Sequence, residues 1–331
     1  MLFTAKLQAE VKVSTKGGLK VTSGDYSFQV GGRIMYDYNR TENNGVVVED
    51  ELGARRTRLN VQGTVAKDWQ FKTQFNTDSA GGFVDLYLRY TGFGHAAAVT
   101  IGNQQQPFGL EQLTSSKDIS ILERAATTEL FATGHAEGVQ LSGKLDANQT
   151  YAAGLYFEDV DPDNTGQEVG VAARYTIAPV KTDSSLMHLG VAYSDIDETN
   201  ALGLEVAAVS GSFHVQAEYF DGDFGDGSLS GQYVQVGYIL TGETRPYSGG
   251  KFKRVKPASQ GGAWEVVARY EDGDGDFGDI ELGETDATAY TLGVNWYAHN
   301  NVRFGLNYTD GEDENSDDEG EEIRLRAQLT F

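Results

Sequence analysis

The chain has 331 residues, 26 of them basic and 49 acidic, a net charge of −23 and no cysteine. That balance argues against nucleic acid, whose phosphates need a basic footprint, and the missing thiols exclude disulfide scaffolds and thiolate metal sites. No stretch reaches the roughly 18 apolar residues of a membrane-spanning helix, yet 17 Tyr, 16 Phe and 3 Trp are too many for a disordered acidic chain.

Residues Met1 to Glu10 lack a basic stretch followed by an apolar one, so no signal peptide is expected in this chain. Residues 1–23 read as an N-terminal periplasmic arm and 24–331 as one barrel domain. Alternation of period two then dominates. Between Asp25 and Asn39 the even positions Tyr26, Phe28, Val30, Ile34, Tyr36 and Tyr38 are apolar. The odd ones, from Ser27 through Arg33 and Asp37, are small or polar. The pattern returns with Leu59, Val61 and Val65 against Arg56, Arg58, Asn60 and Gln62, then with Trp69, Phe71 and Phe75 against Lys72 and Gln74. Leu86, Leu88 and Tyr90 alternate with Asp85 and Arg89, and a short strand follows at Val99–Gly102. Continuing to Ile323–Phe331, the count is sixteen.

Strands of about 9–11 residues cross a bilayer when tilted. Aromatics recur at their ends, as at Trp69, Tyr90, Trp296 and Phe331, where interfacial girdles lie. An all-β, sixteen-stranded antiparallel transmembrane β-barrel, apolar outside and polar within, is therefore preferred over a soluble sandwich. The connections alternate short and long, with the long ones, such as Thr41–Gly53 and Asp310–Glu322, expected outside the cell. The long link Thr241–Gly261 breaks the rule on the short-turn side and carries Arg245, Lys251, Lys253, Arg254 and Lys256.

The segment 104–136 is too long and too apolar for an ordinary loop, with Phe108, Leu110, Ile119, Ile121, Leu122 and Phe131. Packed within a polar lumen, this third external loop folds inward as a constriction and carries Lys117 and Arg124. Pleat parity puts Arg33, Arg56, Arg58, Lys72 and Arg89 on the inward face of the first strands and Arg303, Arg324 and Arg326 on that of the last two. Because the last strand closes on the first, these form one anion-guiding wall. Glu205, Glu218 and Glu265 fall on the opposite wall, giving a transverse field of the kind that replaces lost hydration for a passing ion.

Most acidity lies in the external links. Asp272, Asp274 and Asp276 alternate with glycine at a calcium-like spacing without the rest of a calcium loop, so solvated loops are preferred to a Ca²⁺ site and no other cofactor is expected. The five histidines are scattered, and neither HExxH nor GxSxG occurs, so no enzyme is expected.

The stretches FQVGGR (28–33), Arg55-Arg56, YTGF (90–93), FGLE (108–111), TSSK (114–117), LER (122–124), LTGE (240–243), GAWE (262–265) and TLGVNWY (291–297) together resemble the phosphate-selective porin O and P family of Gram-negative outer membranes. The resemblance covers nearly the whole chain from Thr15. It implies a homotrimer with an infolded third loop and passive diffusion of small anions, phosphate in the founding members. Two departures stand out. The first lysine of the family's GLEK…TSSK loop is Gln112 here, and the arginine-bearing fifth loop is reduced to Asp195–Ala201.

The expected function is thus a water-filled porin for small hydrophilic solutes, anions such as phosphate first. Its partners would be outer-membrane lipid, lipopolysaccharide and its own copies. A general or cation-leaning porin, suggested by the acidic links, and an adhesin or structural barrel are the alternatives. Small outward residues, Ala97 and Gly63 beside the short strand, favour close contact between barrels. Phe331, ending an alternating strand, is the expected assembly signal.

Overall fold

The computed structural model describes residues 10–15, 17–77, 81–159, 167–196, 199–278 and 283–331. Residues 1–9 of the expected arm, most of the link at 158–167, and Asp279 and Glu281 lie outside them.

A hairpin of β1 (Val11–Ser14) and β2 (Leu19–Ser23) leads into β3 (Tyr26–Asn43), which β4 (Val46–Val65) follows. Three short strands come next, β5 (Trp69–Asn76), β6 (Phe83–Tyr90) and β7 (Ala98–Gln105). The segment after them holds two helical turns, α1 (Leu110–Leu113) and α2 (Ala126–Phe131). The chain then runs through β8 (His135–Lys144), β9 (Gln149–Asp159), β10 (Gln167–Lys181), β11 (Ser185–Ile196), β12 (Thr199–Ser210) and β13 (Phe213–Phe224). It ends with β14 (Gly227–Ile239), β15 (Ala263–Asp276), β16 (Glu284–His299), β17 (Val302–Asp313) and β18 (Asp318–Thr330). From β3 to β18 each strand pairs antiparallel with the next, and β18 pairs β3 from Gly320↔Asn43 to Thr330↔Arg33. Sixteen strands form a closed barrel, which leaves no edge unpaired. Where β3 projects beyond the end of β18, its residues Tyr26 to Val30 pair with β2 instead.

The pleat sorts the side chains as the alternation requires. On β12, Leu202, Leu204 and Val206 are exposed on the outer surface while Ala201, Glu205 and Ala207 are buried inside. Apolar residues outside and carboxylates inside invert a soluble protein's arrangement, as lipid-facing strands demand.

The expected external links are mostly strand. Thr41–Gly53 shrinks to a two-residue turn, Asn44-Gly45, with φ of 50° and 72°. Both angles suit the mirror-image turn that matches strand twist, and Asn-Gly adopts it readily. Polarity did not end these strands because ladder hydrogen bonds need only backbone. The short strand is likewise eight residues, not four. Of two small residues expected on a flat outer surface, one is placed otherwise and the other keeps its outward face but is covered. Ala97 borders the lumen, and the Phe71 ring lies so close over Gly63 that an added Cβ would fall 2.8 Å from it.

Candidate permeation pathway

The segment between β7 and β8 is fastened to inward side chains around half of the barrel. Phe108 and Phe131 stack on Phe220 of β13 at ring separations of 5.9 and 5.5 Å. Glu218, also on β13, accepts the N–H groups of Leu110 and Glu111 at 2.5 and 2.8 Å. Farther round, Ser120 donates to Glu265 at 2.8 Å and Asn307 accepts from the Leu122 N–H at 2.7 Å. Arg303 donates to the carbonyls of Ile119 and Ser120, both at 2.6 Å. Polar inner walls thus supply the partners that irregular backbone needs when it leaves water.

The long link between β14 and β15 also enters the barrel, from the short-turn end. Phe252 and Val255 are buried, the former with Leu110, Leu186 and Ala207. Arg245 donates to Gln216 at 2.8 Å and lies over the Phe252 ring. Arg254 donates to the Asn300 carbonyl and to Thr330, and Arg174 of β10 donates to the Gly250 carbonyl at 2.9 Å.

These two segments redistribute the expected cations. Arg33 donates to Ser116 at 2.6 Å, and Arg303 is fully buried under the loop. Arg56, Arg324 and Arg326 converge on the loop carboxylate Glu123, with Asp37 also held by the last two. Arg58 donates to Asn76 at 2.8 Å, and Arg124 braces the loop by donating to the carbonyls of Glu111, Gln112 and Thr114 and to Glu129. Lys72 pairs with Asp85 at 2.6 Å. Arg89 and Lys117 have no carboxylate within ion-pair distance among the described residues.

The opposite wall does not face open water. Glu205, Glu218 and Glu265 are buried (1%, 2% and 0% exposed), because each is a loop or side-chain acceptor. Glu205 takes Arg174 and His188, while Glu265 takes His214, Asn295 and Tyr297 besides Ser120. None of the three lines the open cavity described below.

Among the described residues, a cavity of about 730 Å³ lies open between the two infilled segments and the β5–β10 wall. Its lining includes Lys72, Arg89, Lys144, Arg174 and Lys251, with Asp85 the one carboxylate among its lining residues. Of these, Lys144 and Arg174 were missed by sequence reasoning despite inward parity, since Ser142 and Thr176 share their faces. Lys251 sits in irregular chain with no period to place it.

Asp272, Asp274 and Asp276 do not form a calcium loop. They are successive same-face residues of β15, about 7 Å apart as strand geometry sets, and accept from Tyr270 and Gln232, from Ser230, and from the Gly278 N–H respectively. No group of three or more His, Asp or Glu among the described residues has metal-site geometry.

A closed barrel with an apolar exterior, a polar interior and an aqueous lumen narrowed by its own chain defines the porin class. A family model described as phosphate-selective porin O and P matches residues 28–202 and 194–331. The chain belongs to that family and is an outer-membrane porin, not an enzyme. It is 31% identical to Porin O of Pseudomonas aeruginosa, over 98% of this chain and 93% of that one. Its fold is similar to the anion-selective porin from Comamonas acidovorans (TM-score 0.63, 12% identity, 92% of this chain and 100% of that one). It also resembles the trimer form of OmpT, an outer-membrane protein of Vibrio cholerae (TM-score 0.58, 13% identity, 92% and 99%).

Proposed function

We propose that this porin passes small oxyanions, phosphate among them, through a homotrimer of independent pores. The observation that carries the reading is the lumen cavity, lined by five cationic side chains: Lys72 is paired with Asp85 and Arg174 with Glu205, while Arg89, Lys144 and Lys251 add positive charge. A row of fixed cations replaces part of a passing anion's hydration and repels cations along the lumen wall. The acidic outer strand ends act over only about 8 Å at physiological salt, so the waist rather than the rim sets selectivity. The trimer is supported by the assembly of the OmpT structure above.

Zero-current potential across a planar bilayer in a KCl gradient tests this. The expected sign is that of anion preference, with inorganic phosphate reducing chloride current. A potential of the opposite sign would overturn it.

A further inference from the structure

Glu123 stands among four guanidinium groups. Its Oε1 accepts from Arg56 at 2.8 Å and from Arg326 at 2.5 Å, and its Oε2 accepts from Arg56 at 2.9 Å and from Arg55 at 3.1 Å. Arg324 lies 3.8 Å away. Burial opposes its ionisation, yet the hydrogen bond and charge of Arg56, with Arg326 and Arg55, hold the carboxyl well below the usual range. A planar guanidinium fork takes a carboxylate or a phosphate in the same two-point geometry.

The neighbouring carboxylate Asp37 is built differently. It is 5% exposed and takes Arg326 through two bonds of 2.8 and 2.6 Å. The Glu123 side chain is 23% exposed and Arg55 42%, so the Glu123 cluster opens on water whereas Asp37 is structural. The backbone around Glu123 is pinned without its side chain. The Leu122 N–H donates to Asn307, the Leu122 carbonyl accepts from Arg326 at 2.6 Å, and the Glu123 carbonyl accepts from Arg269 at 3.0 Å. The carboxylate can therefore leave its partners while the loop stays in place.

We infer that Glu123 is a tethered counter-ion: it occupies the Arg55–Arg56–Arg324–Arg326 cluster in the free channel, and a permeating oxyanion binds there by displacing it. A tethered ligand competes at an effective concentration in the millimolar range or above. Glu123 therefore weakens anion binding at this cluster and keeps the channel from being blocked by its own substrate. It is a specificity-determining residue that acts through the arginines. The inference rests on the anion-channel reading above.

The test is a titration of inorganic phosphate against chloride conductance of the purified channel in planar bilayers. Glu123→Gln should lower the half-blocking phosphate concentration at least tenfold. Asp50→Asn serves as the control. It removes the same charge from the rim of β4, where Asp50 is 3.7 Å from Arg40, and should stay within twofold of wild type. An E123Q value within twofold of wild type, or an equal gain in D50N, would overturn the inference. Should E123Q fail to assemble, Glu123→Asp keeps the charge but shortens the tether, and its half-block should fall clearly below that of wild type. Equality with wild type would sink the idea. The sign of the wild-type zero-current potential is read separately, so a cation-selective channel would overturn the preceding reading without being confused with a failed titration.

Discussion

Glu218 shows what a buried carboxylate does inside a barrel. Its two oxygens accept from two successive loop N–H groups and from the Tyr233 hydroxyl at 2.6 Å. Every partner is a donor and none is a cation, so both oxygens are needed as acceptors. In Glu218→Gln one oxygen becomes an NH₂ that faces a donor, and a buried N–H loses its acceptor. Such a loss costs roughly 1–3 kcal/mol. The variant should unfold at lower temperature, seen as earlier loss of the compact band in a heat-modifiability gel, and its open-channel current should become noisier as the loop loosens. Tyr233→Phe removes one donor of the three and should do less. Equal thermal stability of E218Q and wild type would show that the loop is held by its apolar contacts alone, Phe108 and Phe131 on Phe220.

The link between β14 and β15 turns a lumen that strands alone would leave wide into a narrow one, and it brings Lys251 to the cavity. Burial pushes the Lys251 ammonium down to about 8, with repulsion from Lys253, Arg174 and Lys72 in the same direction. The group is charged below that pH and neutral above it, and each further unit cuts the charged fraction about tenfold. Anion preference should therefore fall between pH 7 and pH 9 in zero-current measurements. Lys251→Met should remove that pH dependence and give at pH 7 a preference like that of wild type at pH 9. An unchanged pH dependence in K251M would place the titrating group elsewhere. This element also marks the limit of what the sequence discloses. Period two is a local property, so sixteen strands and the inward parity of Arg56, Lys72 and Arg326 could be read from neighbours two residues apart. Which inward arginines still face water could not be. Arg56 and Arg326 are satisfied by a carboxylate 67 and 203 residues away, and Glu205 and Glu265 by histidines, an arginine and loop atoms. Long, irregular segments decide those pairings, and irregular chain has no period. Glu111 is the clearest case: it looks like a polar loop residue and is 1% exposed, accepting from the Ala125 N–H and the Thr128 hydroxyl.

At the scale of the whole barrel, closure depends on one seam and on the last residue of the chain. Beyond the final ladder pair Thr330↔Arg33, the Gly32 N–H donates to the Phe331 carbonyl at 2.8 Å and the Phe331 N–H donates to the Gly32 carbonyl at 3.1 Å. The Phe331 ring lies over Gly32 so closely that an added Cβ would fall 2.6 Å from it, and Arg58 of β4 presents its carbonyl oxygen at the same distance. Glycine at position 32 is thus a seat for the terminal ring. Deleting Phe331 removes both backbone bonds, each worth about 0.5–1.5 kcal/mol, and uncovers the edge of β3 where β18 stops. The lumen cations and the two infilled segments do not depend on that residue. Less heat-modifiable barrel should therefore reach the outer membrane, while the conductance of each surviving channel stays at the wild-type value. Gly32→Ala keeps Phe331 but crowds its ring, so it should lower the yield by less than the deletion does. Wild-type membrane levels after the deletion would show that the seam closes without its last pair, and a changed unit conductance would show that the seam shapes the lumen as well.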